Sequence, residues 1–225
     1  METRILMGQR NNDLQEAANL LRAGEAVAFP TDTVYGLGAH ALDETAVQKI
    51  YEAKGRPSDK PLIILIWDKS QLEKLTVHIS ETARKLMDVF WPGPLTLVFR
   101  QRPNAVPPYV TRGLDTVAVR MPNHPVALKL LQLADIPIAA PSANLSGNPS
   151  PVDAAQVQQE LSGRIAAIVD GGTCDVGVAS TILDVSGAVP VILRQGTVSQ
   201  EQLEQMIGIP IQGTVKKQYV RVGEA

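Results

Sequence analysis

EAKGRPSDKPLIILI, residues 52–66, is the stretch from which the fold class can be read. Its second half continues into Trp67, and LIILIW at 62–67 is apolar at every position. Such a run has no side to turn to water, which is the pattern of an interior strand covered on both faces of an α/β sheet. The residues before it are helical in pattern. Asp43 caps a helix whose apolar face is Val47, Ile50 and Tyr51, and Gly55 ends it with a left-handed turn. A capped helix followed closely by a buried strand indicates α/β architecture. Three cations, Lys54, Arg56 and Lys60, fall within seven residues in the connection. Unit charges about 4 Å apart interact by roughly 4 kcal/mol at an effective dielectric near 20. Cations crowded on a loop stiffened by Pro57 therefore call for an anion, Asp59 or water among them. Arginine offers a planar fork to phosphate oxygens and lysine a mobile point charge. A merely solvated loop and a loop that binds a phosphate-bearing ligand both fit these residues.

The same alternation runs along the rest of the chain. Leu14, Ala17, Ala18 and Leu21 share one helical face over residues 13–23, and AVAF at 26–29 is a short buried strand. TDTVYGLGAH then reads as a polar, glycine-containing loop. Ser80 caps a helix carrying Ala83, Leu86, Met87 and Phe90, stopped by WPGP at 91–94. LTLVF and TVAVR are strands, HPVALKLLQLAD is a helix, and PIAAPSAN begins as a strand that becomes a loop at Pro141. DAAQVQQEL is a helix; IAAIV, STILDV and VILR are strands. Ser199 and Gln202 form a capping box that opens a last helix ending at Gly208. The expected architecture is a single α/β domain around a mixed sheet, with residues 1–208 as the domain and 209–225 as a tail with a short strand.

Composition narrows the function. Among 225 residues, 44% are hydrophobic and 20% charged, ordinary values for a globular chain with a substantial core. The net charge of −2 argues against coating nucleic acid through bulk positive charge, although a local basic patch remains compatible with it. One cysteine, Cys174, leaves no intrachain disulfide and no multi-cysteine metal site. His40, His78 and His124 have no ligand spacing, so no protein-built metal site is expected. No stretch is long and apolar enough to span a bilayer, and a cytoplasmic protein without a membrane partner is expected.

Several chemistries are missing as motifs. There is no G-x-x-x-x-G-K-[ST] and no G-x-S-x-G. GLGAHA fits the permissive dinucleotide turn, but TDTVY separates it from the preceding strand and no acidic residue ends the next one. Thr31, Asp32, Thr33 and Tyr35 leave a strand as a polar surface suited to a small ligand. Ser142, Asn144 and Ser146 offer directed hydrogen bonds without charge. Ser180 and Thr181 open a strand, and Arg194 closes one.

In order along the chain, FPTDTVYGLG, KGRPSDKPLIILI, WPGPLTLVF, TVAVRMPNHP, APSANLSG, ASTILDV and ILRQG resemble the YrdC-like L-threonylcarbamoyladenylate synthases. The resemblance runs over about residues 13–206. It implies an open, twisted, mixed β-sheet with flanking helices and a positively charged concave face. It also implies that L-threonine, bicarbonate or carbon dioxide, and ATP are converted to threonylcarbamoyl-AMP and pyrophosphate, with Mg2+ accompanying the ATP. Partner transferases would then pass the threonylcarbamoyl group to tRNAs reading codons that begin with A.

Carried over by position, Lys54 and Arg56 are the catalytic cations. Arg56, Lys60, Thr116, Ser142, Asn144, Ser150 and Arg194 meet ATP, while Thr33, Arg120, Ala140 and Ser180 meet L-threonine. Leu65 departs from relatives with a polar residue there, so any threonine contact at Leu65 would be apolar or through its backbone. Longer relatives append another domain, for which the tail after Gly208 is too short, as in the single-domain form. The competing reading is a nonenzymatic RNA-binding protein that grips phosphate backbones through the KGR loop. The net charge and the 4% aromatic content disfavour it, leaving at most weak RNA binding. A carbamoyl-transfer module of hydrogenase-maturation type would bring cysteine-rich regions that this sequence lacks.

Overall fold

The apolar run forms β4 (Ile63–Leu65) in the computed structural model, which describes residues 2–57 and 60–213. Ile64 packs into one apolar cluster with Leu37, Leu97 and Val119. Ile63 and Leu65 pack into another with Val98, Ala118 and Ala140. The strand is thus buried on both faces, as its composition predicts, and successive side chains feed opposite layers.

The other strands are β1 (Arg4–Met7), β2 (Val27–Phe29), β3 (Gly36–His40), β5 (Leu95–Arg100) and β6 (Thr116–Arg120). They are followed by β7 (Ile138–Ala139), β8 (Ala167–Asp170), β9 (Thr181–Asp184) and β10 (Val191–Arg194). They form one ten-stranded sheet in the order β1-β8-β2-β3-β7-β4-β6-β5-β9-β10. The sheet is open and mixed: β4 runs parallel to β6 and antiparallel to β7. Register places Leu65 beside Arg120, and the Ala140 amide donates to the Ile63 carbonyl at 2.8 Å. Three segments distant in sequence therefore end side by side.

The flanking helices begin and end where local chemistry dictates. Asp43 accepts hydrogen bonds from the amides of Thr45 and Ala46 at the start of α2 (Glu44–Lys54), with α1 (Asn11–Arg22) before it. Gly55, at φ 56°, turns the chain out of α2. Between α2 and the next capped helix lies α3 (Ser70–Leu75); then Ser80 caps α4 (Glu81–Phe90). Next come α5 (Pro108–Thr111), α6 (Pro125–Ala134) and α7 (Ala154–Leu161), the last capped by Asp153. The Ser199–Gln202 box is reciprocated at α8 (Gln200–Ile207). Beyond α8, Gln212 pairs with Val191 at the margin of β10, and residues 214–225 of the expected tail lie outside the described residues. No helix among the described residues is long and apolar enough to cross a membrane.

One expectation is overturned. GLGAH is not loop but β3, hydrogen-bonded to β2 and β7. Its glycines weaken intrinsic strand preference, yet Gly38 sits where a side chain has no room. A Cβ there would stand 2.6 Å from Phe29 and 2.7 Å from Ile138. Close packing across the sheet outweighs local propensity. The short elements β1, α3 and α5 are additions that the sequence pattern did not indicate.

Gly38→Ala should therefore lower unfolding free energy by about 1–3 kcal/mol, the usual penalty for overpacking. Urea denaturation reads this directly. A loss below about 0.5 kcal/mol would mean that Phe29 and Ile138 can move aside.

Candidate active site

The ends of β4, β6 and β7 meet the polar exit from β2, the entrance to β9 and the end of β10. Together with Arg56 they surround a cavity of about 600 Å3, counting space open to solvent. Ile63, Leu65 and Ala140 supply apolar wall, and Thr31, Thr33, Ser142, Ser150 and Ser180 supply hydroxyls. Arg56, Arg120 and Arg194 supply positive charge, and among the described residues the wall has no carboxylate.

Arg120 is held from three sides. Its Nε donates to the Gly93 carbonyl at 3.0 Å, its Nη1 to Thr33 Oγ1 at 2.9 Å, and its Nη2 to Asp32 Oδ1. Gly93 is itself fixed, its amide donating to the Met121 carbonyl at 2.8 Å. That gives WPGP a task beyond stopping α4. Because Thr33 accepts from Arg120, its own proton is left for Thr31 Oγ1, 3.0 Å away, and Thr31 donates to the Val34 carbonyl at 2.7 Å. Burial lowers the Arg120 pKa, and the Asp32 charge opposes that shift.

Arg194 is tied to Ser180. Its Nε and Nη2 donate to the Ser180 carbonyl at 3.1 and 2.8 Å, and Nη2 also reaches Ser180 Oγ at 3.1 Å. Thr96 shares a hydrogen bond with that hydroxyl at 2.8 Å. Burial, then the charges of Arg120 and Arg56, push the Arg194 guanidinium down to about 10. An anion entering the cavity would relieve the repulsion among these cations.

Lys54 sits behind this wall. It is 2% exposed, and its Nζ donates to the carbonyls of Ser142 and Asn144. Burial, and next the Arg56 charge, push its pKa down to about 7. Asn144 also points into its own loop, donating to the carbonyls of Leu145 and Asn148 at 2.8 and 2.7 Å. Glu160 accepts from the Leu145 amide at 3.0 Å and from the Asn148 side chain. These contacts fix the loop that presents Ser142 and Ser150. Lys60 and Thr116 are not on the wall; Thr116 opens β6, four residues from Arg120 and so about 13 Å away along an extended strand.

Of the residues singled out in the sequence, the structure brings together Thr33, Arg56, Arg120, Ala140, Ser142, Ser150, Ser180 and Arg194. Thr96 and Glu160, which hold these groups, carry no recognisable local signal; Asp32, expected on the ligand surface, instead supports Arg120 from off the wall. Tyr35 lines the cavity too, but its hydroxyl donates to the Gly172 carbonyl at 2.8 Å, and burial raises its pKa. Cys174 is buried and its thiol is pushed up to about 11 by burial, a poor nucleophile.

A family model described as Telomere recombination, for Sua5, YciO and YrdC, matches residues 19–196. The threonylcarbamoyl-AMP synthase of Bacillus subtilis is 58% identical over 199 residues, covering 88% of this chain and 58% of the relative. That of Pyrococcus abyssi is 55% identical over 192 residues, 85% of this chain and 56% of the relative. This chain therefore spans less than two thirds of the length of those two relatives. The Vibrio cholerae threonylcarbamoyl-AMP synthase is 37% identical over 186 residues, covering 82% of this chain and 97% of the relative. Among solved structures, P. abyssi Sua5 complexed with L-threonine superposes with a TM-score of 0.89 at 51% identity, over 94% of this chain and 62% of that one. E. coli YciO shares the fold, with a TM-score of 0.78 at 22% identity, over 90% of this chain and 98% of that one.

The site makes one demand on ILRQG. A Cβ on Gly196 would overlap the Ala179 carbonyl, the Ser180 carbonyl carbon and the Thr181 amide. Gly196→Ala should cost about 2 kcal/mol or more in unfolding free energy, because backbone atoms cannot rotate away. Denaturant melts at wild-type stability would remove this close approach from the account of the site.

Proposed function

The chain belongs to the Sua5, YciO and YrdC family, and from that premise we propose that it makes L-threonylcarbamoyl-AMP from L-threonine, bicarbonate or carbon dioxide, and ATP. Pyrophosphate is the other product. The carrying observation is the convergence of three arginines and a set of hydroxyls on one cavity whose wall, among the described residues, has no carboxylate. The product would feed N6-threonylcarbamoyladenosine formation on tRNA by partner transferases, in the cytoplasm, where ATP and tRNA meet.

In this reading the neutral threonine amine adds to carbon dioxide and releases a proton to solvent, giving a carbamate. A carbamate oxygen attacks the α-phosphorus of ATP, the bond from that phosphorus to the bridging oxygen breaks, and pyrophosphate leaves with its electron pair. Both reactants are anions, so repulsion dominates the barrier and fixed positive charge is the remedy. Arg120, Thr33, Ser180 and Ala140 hold threonine; Arg56 and Arg194 hold the phosphates. Ser142 and Ser150 face the nucleotide, and Lys60 and Thr116 meet it beyond the wall. Lys54 and Asn144 act from behind, by holding the loop of Ser142. Magnesium enters as part of the nucleotide substrate, since the described wall residues include no carboxylate to retain it. No side-chain nucleophile is required.

The test is to incubate the pure protein with ATP, magnesium, bicarbonate and each amino acid in turn, and to follow pyrophosphate. Threonine-dependent release supports the synthase. Equal release with serine, or tight salt-sensitive RNA binding without ATP consumption, favours a different activity. Arg56→Ala should lower kcat/KM by roughly 10²–10³-fold, as loss of one preorganised charge does. Its stability should change by less than about 1 kcal/mol, because Arg56 is only partly buried.

Lys54 gives a pH-dependent expectation. With a pKa near 7 in the free protein, it is mostly neutral at pH 8, and a bound triphosphate raises that pKa. ATP binding at pH 8 should then take up a proton, and at pH 6, where Lys54 is already charged, it should not. Calorimetry in buffers of different ionisation enthalpy measures the uptake, which Lys54→Met should abolish. Persistence in that variant would assign the proton to another group.

A further inference from the structure

We infer that Asp32 is the positioning residue of the amino-acid end of this site: it holds the Arg120 guanidinium in place so that the pocket favours a ligand bearing a carboxylate. This rests on the threonine-activating reading and adds to it a residue that is not on the cavity wall.

Asp32 is 7% exposed and Arg120 5%, so their ion pair is shielded from water. Asp32 Oδ1 accepts from Arg120 Nη2 and from the Asn123 amide at 3.1 Å. The carboxylate thereby links the end of β6 to the chain entering α6. A guanidinium has five N–H groups. The bonds to Gly93, Thr33 and Asp32 use three, leaving one on each terminal nitrogen. Those two are the donors that Arg120 keeps for a ligand carboxylate. Without Asp32, one terminal nitrogen loses its anchor and Arg120 can rotate about the remaining bonds. Asp32 Oδ2 has no hydrogen-bond partner among the described residues although it is buried. Such a group is costly to keep, and buried ion pairs seldom add net stability over well-packed apolar residues of similar volume. The fold alone therefore gives little reason for a charge at this position. Orientation of Arg120 does.

The experiment uses the whole chain as wild type, Asp32→Asn and Asp32→Ala. Threonine and ATP are each varied in the pyrophosphate assay, and L-threonine and L-threoninol, which lacks the carboxylate, are compared by calorimetric titration. The KM for threonine should rise by about tenfold or more in Asp32→Asn, and further in Asp32→Ala, with the KM for ATP within about twofold. The preference for threonine over threoninol should fall by a similar factor. A general weakening of the fold would lower both affinities together and leave that preference intact, and this result would overturn the assignment. So would an unchanged threonine KM, or failure of both variants to fold, which would make Asp32 a residue of the fold alone. A wild-type protein with no threonine-dependent release sinks the activity itself. Threonine-dependent release with an unaltered Asp32→Asn sinks only the role of Asp32.

Discussion

The site depends on holding guanidinium groups close together, largely out of water, before any anion arrives. Burial and mutual repulsion both push Arg194 down, with Arg120 and Arg56 as the repelling neighbours. Each of these side chains is restrained by a carbonyl, from Gly93, Ser180 or Pro61. A carbonyl fixes a guanidinium without cancelling its charge. Arg120 has a full counter-charge as well, in Asp32. The guanidinium groups are therefore already oriented, which is the condition under which electrostatic stabilisation acts without reorganisation during reaction.

The K-G-R spacing separates two tasks among neighbouring residues. Lys54 is the last residue of α2, and its side chain runs inward to the carbonyls of Ser142 and Asn144. Gly55 takes the left-handed conformation and redirects the chain, so that Arg56 emerges on the cavity wall. A neutral lysine amine has two N–H groups, enough for the two carbonyls; the third proton of the ammonium finds no acceptor among the described residues. This agrees with the downward shift at Lys54 and explains how a buried lysine can support a loop without competing with Arg56 for the ligand.

What could be read in the sequence was mostly local. Capping at Asp43, Ser80 and Ser199 depends on residues within one turn, and the helices begin where those residues stand. The apolar run of β4 needs no partner to declare itself. β3 is illegible because Gly38 is required by Phe29 and Ile138, the latter a hundred residues away in sequence. β1 is only four residues long, and α3 and α5 have no side-chain cap. The candidate site divides in the same way. Motif order identifies most of the residues that line the cavity. Their supports do not reveal themselves, since Asp32 meets Arg120 across 88 residues and Ser180 meets Thr96 across 84.

The apolar strand and the basic loop of EAKGRPSDKPLIILI are therefore parts of one arrangement. At about 4 Å, opposite unit charges attract by roughly 1 kcal/mol in bulk water and roughly 4 kcal/mol at an effective dielectric near 20. The cations gain the larger value only where water is displaced, and Ile63, Leu65 and Ala140 displace it beside Arg120. A more polar floor would leave the arginines in place but weaken what each can do to an anion. Burial of β4 on both faces thus sets the strength of the site as well as the topology of the sheet.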